Sequence, residues 1–187
     1  MKLYRPCGPD ELRLVFESGM RAWPPRLAEQ PIFYPVLNRA YATQIARDWN
    51  ANSTAQAGYV TLFEITDKFA SAFPRQVVGG REHEELWVPA ERLDELNANL
   101  CGRIALIGAV FGPRFTGING TSALDRLKGF AAALGSSQAS LDAAVAADAA
   151  TLYLEFPFLA ANSPVASLLK AIEQAWHRVH PEIPLHR

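Results

Sequence analysis

A histidine and a glutamate two residues apart, His83 and Glu85 in the run Arg81-Glu82-His83-Glu84-Glu85-Leu86-Trp87-Val88-Pro89, stand at the head of a short apolar stretch. On a strand, alternation puts both on one face and Leu86 and Val88 on the other. An imidazole beside a carboxylate can move a proton or steady a developing positive charge. The chain holds four histidines in all, so the pairing marks the place where its chemistry is concentrated.

Other chemistries lack their residues. There is no GxxxxGKS or GxxxxGKT phosphate loop, no GxSxG elbow and no HExxH helix, and Gly117-Ile118-Asn119-Gly120 is too short for a dinucleotide fingerprint. Cys7 and Cys101 form no CxxC pair and are too few for a secreted disulfide scaffold, so they read as free thiols. His177 and His180, three apart, have metal-binding spacing but no acidic or cysteine partner, so no metal is expected. Lys plus Arg against Asp plus Glu is 12 to 13 over residues 1–112 and 6 to 6 over 113–187, which gives neither part the basic excess of a phosphate-backbone binder. No window approaches a membrane span and the first residues have no signal-peptide pattern, so a cytoplasmic location is expected.

The elements that must position His83 and Glu85 follow from periodicity and punctuation. Lys2–Arg5 reads as an opening strand ended by Pro6, and residues 9–18 as a helix with Pro9 at its start and Gly19 at its stop. Met20–Trp23 reads as a second strand. Residues 24–37, rich in Pro and aromatics, read as an ordered irregular segment. Asn38 caps a helix running to Trp49, with Tyr41, Ile45 and Trp49 on one stripe. Strands are expected at 59–65, 76–78, 83–88 and 104–110, with helical turns at 67–73 and 89–97.

After Gly112-Pro113 the texture changes to Ala-rich helices at 121–134 and 138–150, a strand at 151–156 and an amphipathic helix at 164–179. The expectation is an α+β fold: a small mixed or antiparallel sheet core over residues 1–112, and a helix-helix-strand-helix elaboration over 113–187 packed on it.

Tyr4-Arg5 on the first strand, the aromatic segment with Phe33, Tyr34 and Tyr41 before or within a helix, and Glu85 heading a late strand together resemble the ADP-ribosyltransferase superfamily. The segments LYRPCG, FYPVLNRAYATQIARDWN and HEELWVPAERL are also similar to small bacterial proteins labelled "ADP-ribosylation/crystallin". The all-helical hydrolase fold behind that label is not expected, because paired acidic metal-binding motifs are missing and the strands are too many. The resemblance covers about residues 2–112 through motifs of a few residues each.

That resemblance implies NAD as substrate, cleavage of the nicotinamide–ribose bond, and ADP-ribosyl transfer to a protein, nucleic-acid or small-molecule acceptor. Glu85 matches the catalytic glutamate, and His83 stands where relatives often carry Gln or Glu to touch the acceptor. Arg5 matches the basic residue that holds ribose or phosphate, with Tyr4 beside it; Tyr34, ahead of Tyr41, matches the nicotinamide-stacking ring, and Arg21 and Arg26 are placed to reach the pyrophosphate. Structural roles compete with each: Glu85 as a surface carboxylate paired with Arg81 or Arg92, Arg5 as a strand-end charge, His83 in solvent, Tyr41 as core, Arg21 and Arg26 as solvated loop charges. Hydrolysis of NAD, transfer of an RNA phosphate to NAD, and a non-catalytic nucleotide- or protein-binding module remain alternatives.

Overall fold

The computed structural model describes residues 1–80 and 82–187. The chain divides into two compact units, Met1–Pro113 and Arg114–Arg187. It is a mixed α+β protein whose strand pairs are all antiparallel.

The first unit is built on a central ladder. Strand β1 (Lys2–Cys7) pairs with a long strand, Ala57–Glu64, which in turn pairs with Ala105–Phe111. Helix α1 (Pro9–Glu17) starts with Pro at its first position and acidic Asp10 and Glu11 in its first turn, where the exposed N–H groups favour negative charge. Its buried residues Leu12, Val15 and Phe16 recur at helical spacing. The strand expected at Met20–Trp23 does not form. Gly19 and Met20 adopt positive φ, reversing the chain, and Trp23 is tied on both its backbone groups to the Asn97 side chain, at 2.8 and 3.0 Å. After the reversal the Met20 carbonyl accepts from the Ile104 N–H at 2.8 Å, a single backbone bond rather than a ladder.

Residues 24–37, expected to be irregular, supply the link between two parts of the sheet. Strand β2 (Ile32–Phe33) pairs with Val88–Pro89, and Val36 bridges both Tyr4 and Glu85. Pro31 and Pro35 have no N–H to give, yet their carbonyls accept from Ala90 and Leu86 at 2.8 and 2.9 Å. Proline thus hides a strand whose hydrogen bonds run through its carbonyls.

Asn38 caps helix α2 (Arg39–Ile45), its side chain accepting from the Tyr41 N–H at 2.7 Å. The helix does not continue regularly to Trp49. It widens into a π turn over Ala46–Asn50, with the Ala51 N–H bonded to the Ala46 carbonyl at 2.8 Å. Then come β3 (Ala57–Glu64), α3 (Asp67–Ala70), β4 (Arg75–Val77), β5 (Glu84–Leu86), β6 (Val88–Pro89), a 3-10 turn at Ala90–Arg92, α4 (Leu93–Ala98) and β7 (Ala105–Phe111). Trp23, Phe33 and Phe63 pack ring on ring at 5.1–6.4 Å in the core.

In the second unit, α5 (Ala123–Ser136), α6 (Gln138–Ala147), α7 (Ala149–Asn162) and α8 (Ala166–Val179) are all helices. The strand expected at 151–156 is the middle of α7. That helix is buried from Thr151 through Pro157, so it reads as a continuous apolar run without helical period. Within it, Glu155 is fully buried, accepting from the Ile118 N–H at 2.6 Å and from Arg126 at 2.9 Å, while Arg126 also reaches Asp148 at 3.0 Å. Gly117 makes room for this clasp: a Cβ there would lie 2.1 Å from the Thr121 carbonyl oxygen. Among the described residues no single helix is long and apolar enough to cross a membrane; α6 and α7 would qualify only together, and they bend by 101° at their junction.

Candidate functional site

The sheet register decides which side chains meet. Tyr4, Val36 and Glu85 lie opposite one another across the ladder, so their side chains leave the same face. Tyr4 packs there with Val36, Tyr41, Ala42, Ala46 and Val60, which places α2 on this face. Arg5, one residue on, leaves the opposite face toward α1. Its guanidinium grips both oxygens of Glu11 at 2.9 and 3.0 Å and lies 4.8 Å over the Phe33 ring.

On the α2 face, Glu85 is 8% exposed, and two neutral donors hold its carboxylate. The Tyr41 hydroxyl donates to Oε1 at 3.0 Å and the Trp87 indole N–H to Oε2 at 2.9 Å. Neither donor carries charge, so the hydrogen bonds orient the carboxylate, while the Arg5 charge acts on it through space without a bond. Burial, then the hydrogen bond to Glu85 and its charge, push the Tyr41 hydroxyl up to about 12, which keeps it a donor. Arg92, one ion-pair partner considered for Glu85, binds Glu95 at 2.7 Å instead. Arg81, the other, lies outside the described residues.

Glu85 stands in the wall of a cleft of about 450 Å³, shared with Arg5, Pro6, Tyr34, Val36, Ile45, Asn50, Val78 and Trp87. That volume is within the roughly 300–1,000 Å³ of small-molecule sites. Tyr34 and Trp87 form an aromatic rim, edge to face at 5.8 Å and both exposed. The cleft therefore combines an oriented anion with π faces, a pairing that favours a flat or diffuse cation.

The remaining expected residues lie around this cleft in different ways. His83 stacks on Tyr41 at 4.2 Å, with Nδ1 3.2 Å from the Val78 carbonyl oxygen, and supports the tyrosine without lining the cleft. Tyr41 is core by its ring and reaches Glu85 by its hydroxyl. Arg5 meets the cleft at its edge, one guanidinium nitrogen donating to the Tyr34 carbonyl at 3.2 Å. Burial pulls the Arg5 pKa down, but the charge and hydrogen bond of Glu11 prevail and hold it raised. Arg26 also turns to Glu11, at 3.5 Å, and its pKa is lowered by burial and by Arg5. Arg21 is exposed on the loop after α1 and is not among the cleft residues.

Trp87 and Asn50 are among the cleft residues that the sequence reading did not single out. Trp87 was legible in principle, since alternation places it on the face of Glu85. Asn50 was not, because the π turn that presents it depends on Gly58 of β3: a Cβ on Gly58 would fall 2.2 Å from the Ala46 carbonyl oxygen and 2.9 Å from the Asn50 Cβ. Among the described residues, no three His, Cys, Asp or Glu side chains group as metal ligands. No protein-family model, curated protein or solved structure matches this chain.

Proposed function

We propose that the cleft binds NAD and that the protein cleaves its nicotinamide–ribose bond, passing the ADP-ribosyl group to an acceptor, within an ADP-ribosyltransferase-like fold of the first unit and in the cytosol. The observation that carries this reading is the buried Glu85 carboxylate, held by Tyr41 and Trp87 and, among the described residues, bonded to no cation, in an aromatic-rimmed cleft. The nicotinamide ring of NAD is a flat cation, suited to Tyr34 and Trp87. As its C–N bond breaks, the electron pair leaves with nicotinamide and positive charge spreads over the ribose C1 and ring oxygen. A fixed anion there stabilises the charge in the transition state more than in the ground state. The acceptor then adds through its nucleophilic atom and gives up a proton. Glu85, which has acceptor positions beyond the two in use, is suited to align that group.

The test is release of free nicotinamide from NAD by the purified protein and by Glu85→Gln. We expect the substitution to reduce release about 100-fold or more, in line with removing one charge-stabilising group from an active site. Equal rates would overturn the assignment.

One observation favours a second reading. Arg5 and Arg26 both turn to Glu11, so that among the described residues neither arginine near the cleft is free of a carboxylate partner to take the pyrophosphate. A non-catalytic pocket for a cationic group on a partner molecule would need none. NAD raising the melting temperature no more than 1-methylnicotinamide does, with no nicotinamide released, would select it.

A further inference from the structure

We infer that β4 is a docking edge for an extended peptide segment of a partner protein, one that brings a lysine or arginine to the Glu85 cleft. The inference goes beyond NAD cleavage, since it needs only an open strand edge beside an oriented anion.

The register decides which way β4 offers its backbone. The Glu84 carbonyl accepts from the Leu37 N–H at 3.0 Å and the Leu86 N–H donates to the Pro35 carbonyl at 2.9 Å, so both residues turn their backbone groups away from β4. Their neighbours His83 and Glu85 therefore face β4, where Glu85 meets Gln76 and the His83 carbonyl accepts from the Val78 N–H at 2.9 Å. Arg75 and Val77 alternate with Gln76 and Val78 and aim their N–H and C=O groups outward. Among the described residues β4 pairs with no strand but β5, and Arg75 and Val77 are both exposed, Val77 at 58%. Donors and acceptors in pairs two residues apart are matched by an extended chain.

The side chains specify what that chain carries. Val77 leaves one face of the hairpin and offers an apolar surface to a cross-strand neighbour. Gln76 and Val78 leave the other face with Glu85, and Val78 lines the cleft together with Glu85, Tyr34 and Trp87. A chain added along β4 thus sets alternate side chains beside Val77 and beside the cleft. The anion and aromatic rim favour a basic side chain there, long enough to cross the strand spacing of about 4.8 Å. Antiparallel pairing of two β4 edges is the poorer fit. Three residues a side bury far less than the roughly 1,000 Å² of a stable interface, and Arg75 leaves the face away from the cleft.

The experiment is fluorescence anisotropy of the full chain with a fluorescein-labelled peptide, Gly-Thr-Val-Lys-Val-Thr-amide. One control peptide has glutamate for lysine, and the other has its central amides N-methylated. We expect the lysine peptide to bind about tenfold more tightly than either control. Val77→Pro removes an outward N–H that β5 does not use, leaves the hairpin paired and weakens binding about tenfold. Glu85→Gln removes most of the preference for lysine over glutamate and keeps the preference for the unmethylated backbone. If Val77→Pro does not fold, the N-methylated peptide on the unaltered chain still decides. Equal binding of the N-methylated peptide, no binding of the lysine peptide at about 1 mM, or a dimer in sedimentation that Val77→Pro dissolves would overturn the assignment. Nicotinamide release from NAD is measured without peptide, so its absence beside peptide binding sinks the cleavage reading alone. Release without peptide binding sinks the docking edge alone.

Discussion

Two buried carboxylates, one in each unit, are held in opposite ways. Glu155, fully buried in α7, is bonded by the Arg126 guanidinium and the Ile118 N–H, and Asp148 shares the same arginine. Burial still dominates its protonation and raises its pKa, against the pull of Arg126 and the Ile118 amide. Glu85 is nearly as buried, but a phenol and an indole hold it beside a cleft. A buried charge matched by a guanidinium belongs to the architecture, whereas a charge held by neutral dipoles at a cleft can act on a ligand.

The contrast can be broken most forcefully at Arg126. Arg126→Met strands Glu155 without its cation, and we expect a loss of about 3–5 kcal/mol in urea denaturation followed by circular dichroism. A loss under about 1 kcal/mol would remove the architectural role of the pair. Glu85→Gln should behave in the reverse manner: nicotinamide release falls about 100-fold or more, while stability moves by less than about 1 kcal/mol. The glutamine carbonyl can keep the Trp87 N–H, and the Tyr41 hydroxyl can turn to accept from the new amide.

A third test uses pH. Tyr41 is raised in the folded chain to about 12 from an ordinary value of 10.0, so the folded state holds its proton more tightly than the unfolded one. Its stabilisation is complete below about pH 10 and disappears as pH rises to about 12, an alkaline loss on the order of 2 kcal/mol. Tyr41→Phe should flatten that limb in melting curves taken across the range. An unchanged limb would place the alkaline sensitivity elsewhere.

The smallest effect is expected at the cap that sets Tyr41. Asn38 accepts from the Tyr41 N–H and donates to the Glu82 carbonyl, tying α2 to the segment that enters β5. Asn38→Ala should cost about 1 kcal/mol and weaken binding of 1-methylnicotinamide by loosening the hydroxyl that orients Glu85. A stability loss with unaltered binding would separate the cap from the site.

Much of this fold could be read from local signals. Pro9 and Asn38 announced helix starts, the alternation in 59–65 announced β3, and the stripe through Leu168, Leu169, Ile172 and Trp176 announced α8. The misreadings share one cause, a local pattern that a buried environment overrode. Residues 151–156 look like a strand because aromatic and apolar residues follow one another, yet they form a helix buried on all sides. Residues 24–37 look irregular because of their prolines, yet within them Val36 carries the bridges that set it opposite Tyr4 and opposite Glu85.

The α+β class and the starts of α1 and α2 follow from neighbours a few positions apart, and from the same short range comes the expectation that singled out Glu85. Only the tertiary structure decided which charges meet. Arg5 does line the edge of the cleft, but a one-residue step along β1 commits its guanidinium to both oxygens of Glu11. Glu155 looked like a strand residue, and its pairing with Arg126 spans 29 positions. Strand register and helix packing fix such long-range encounters, and these depend on the whole core closing at once.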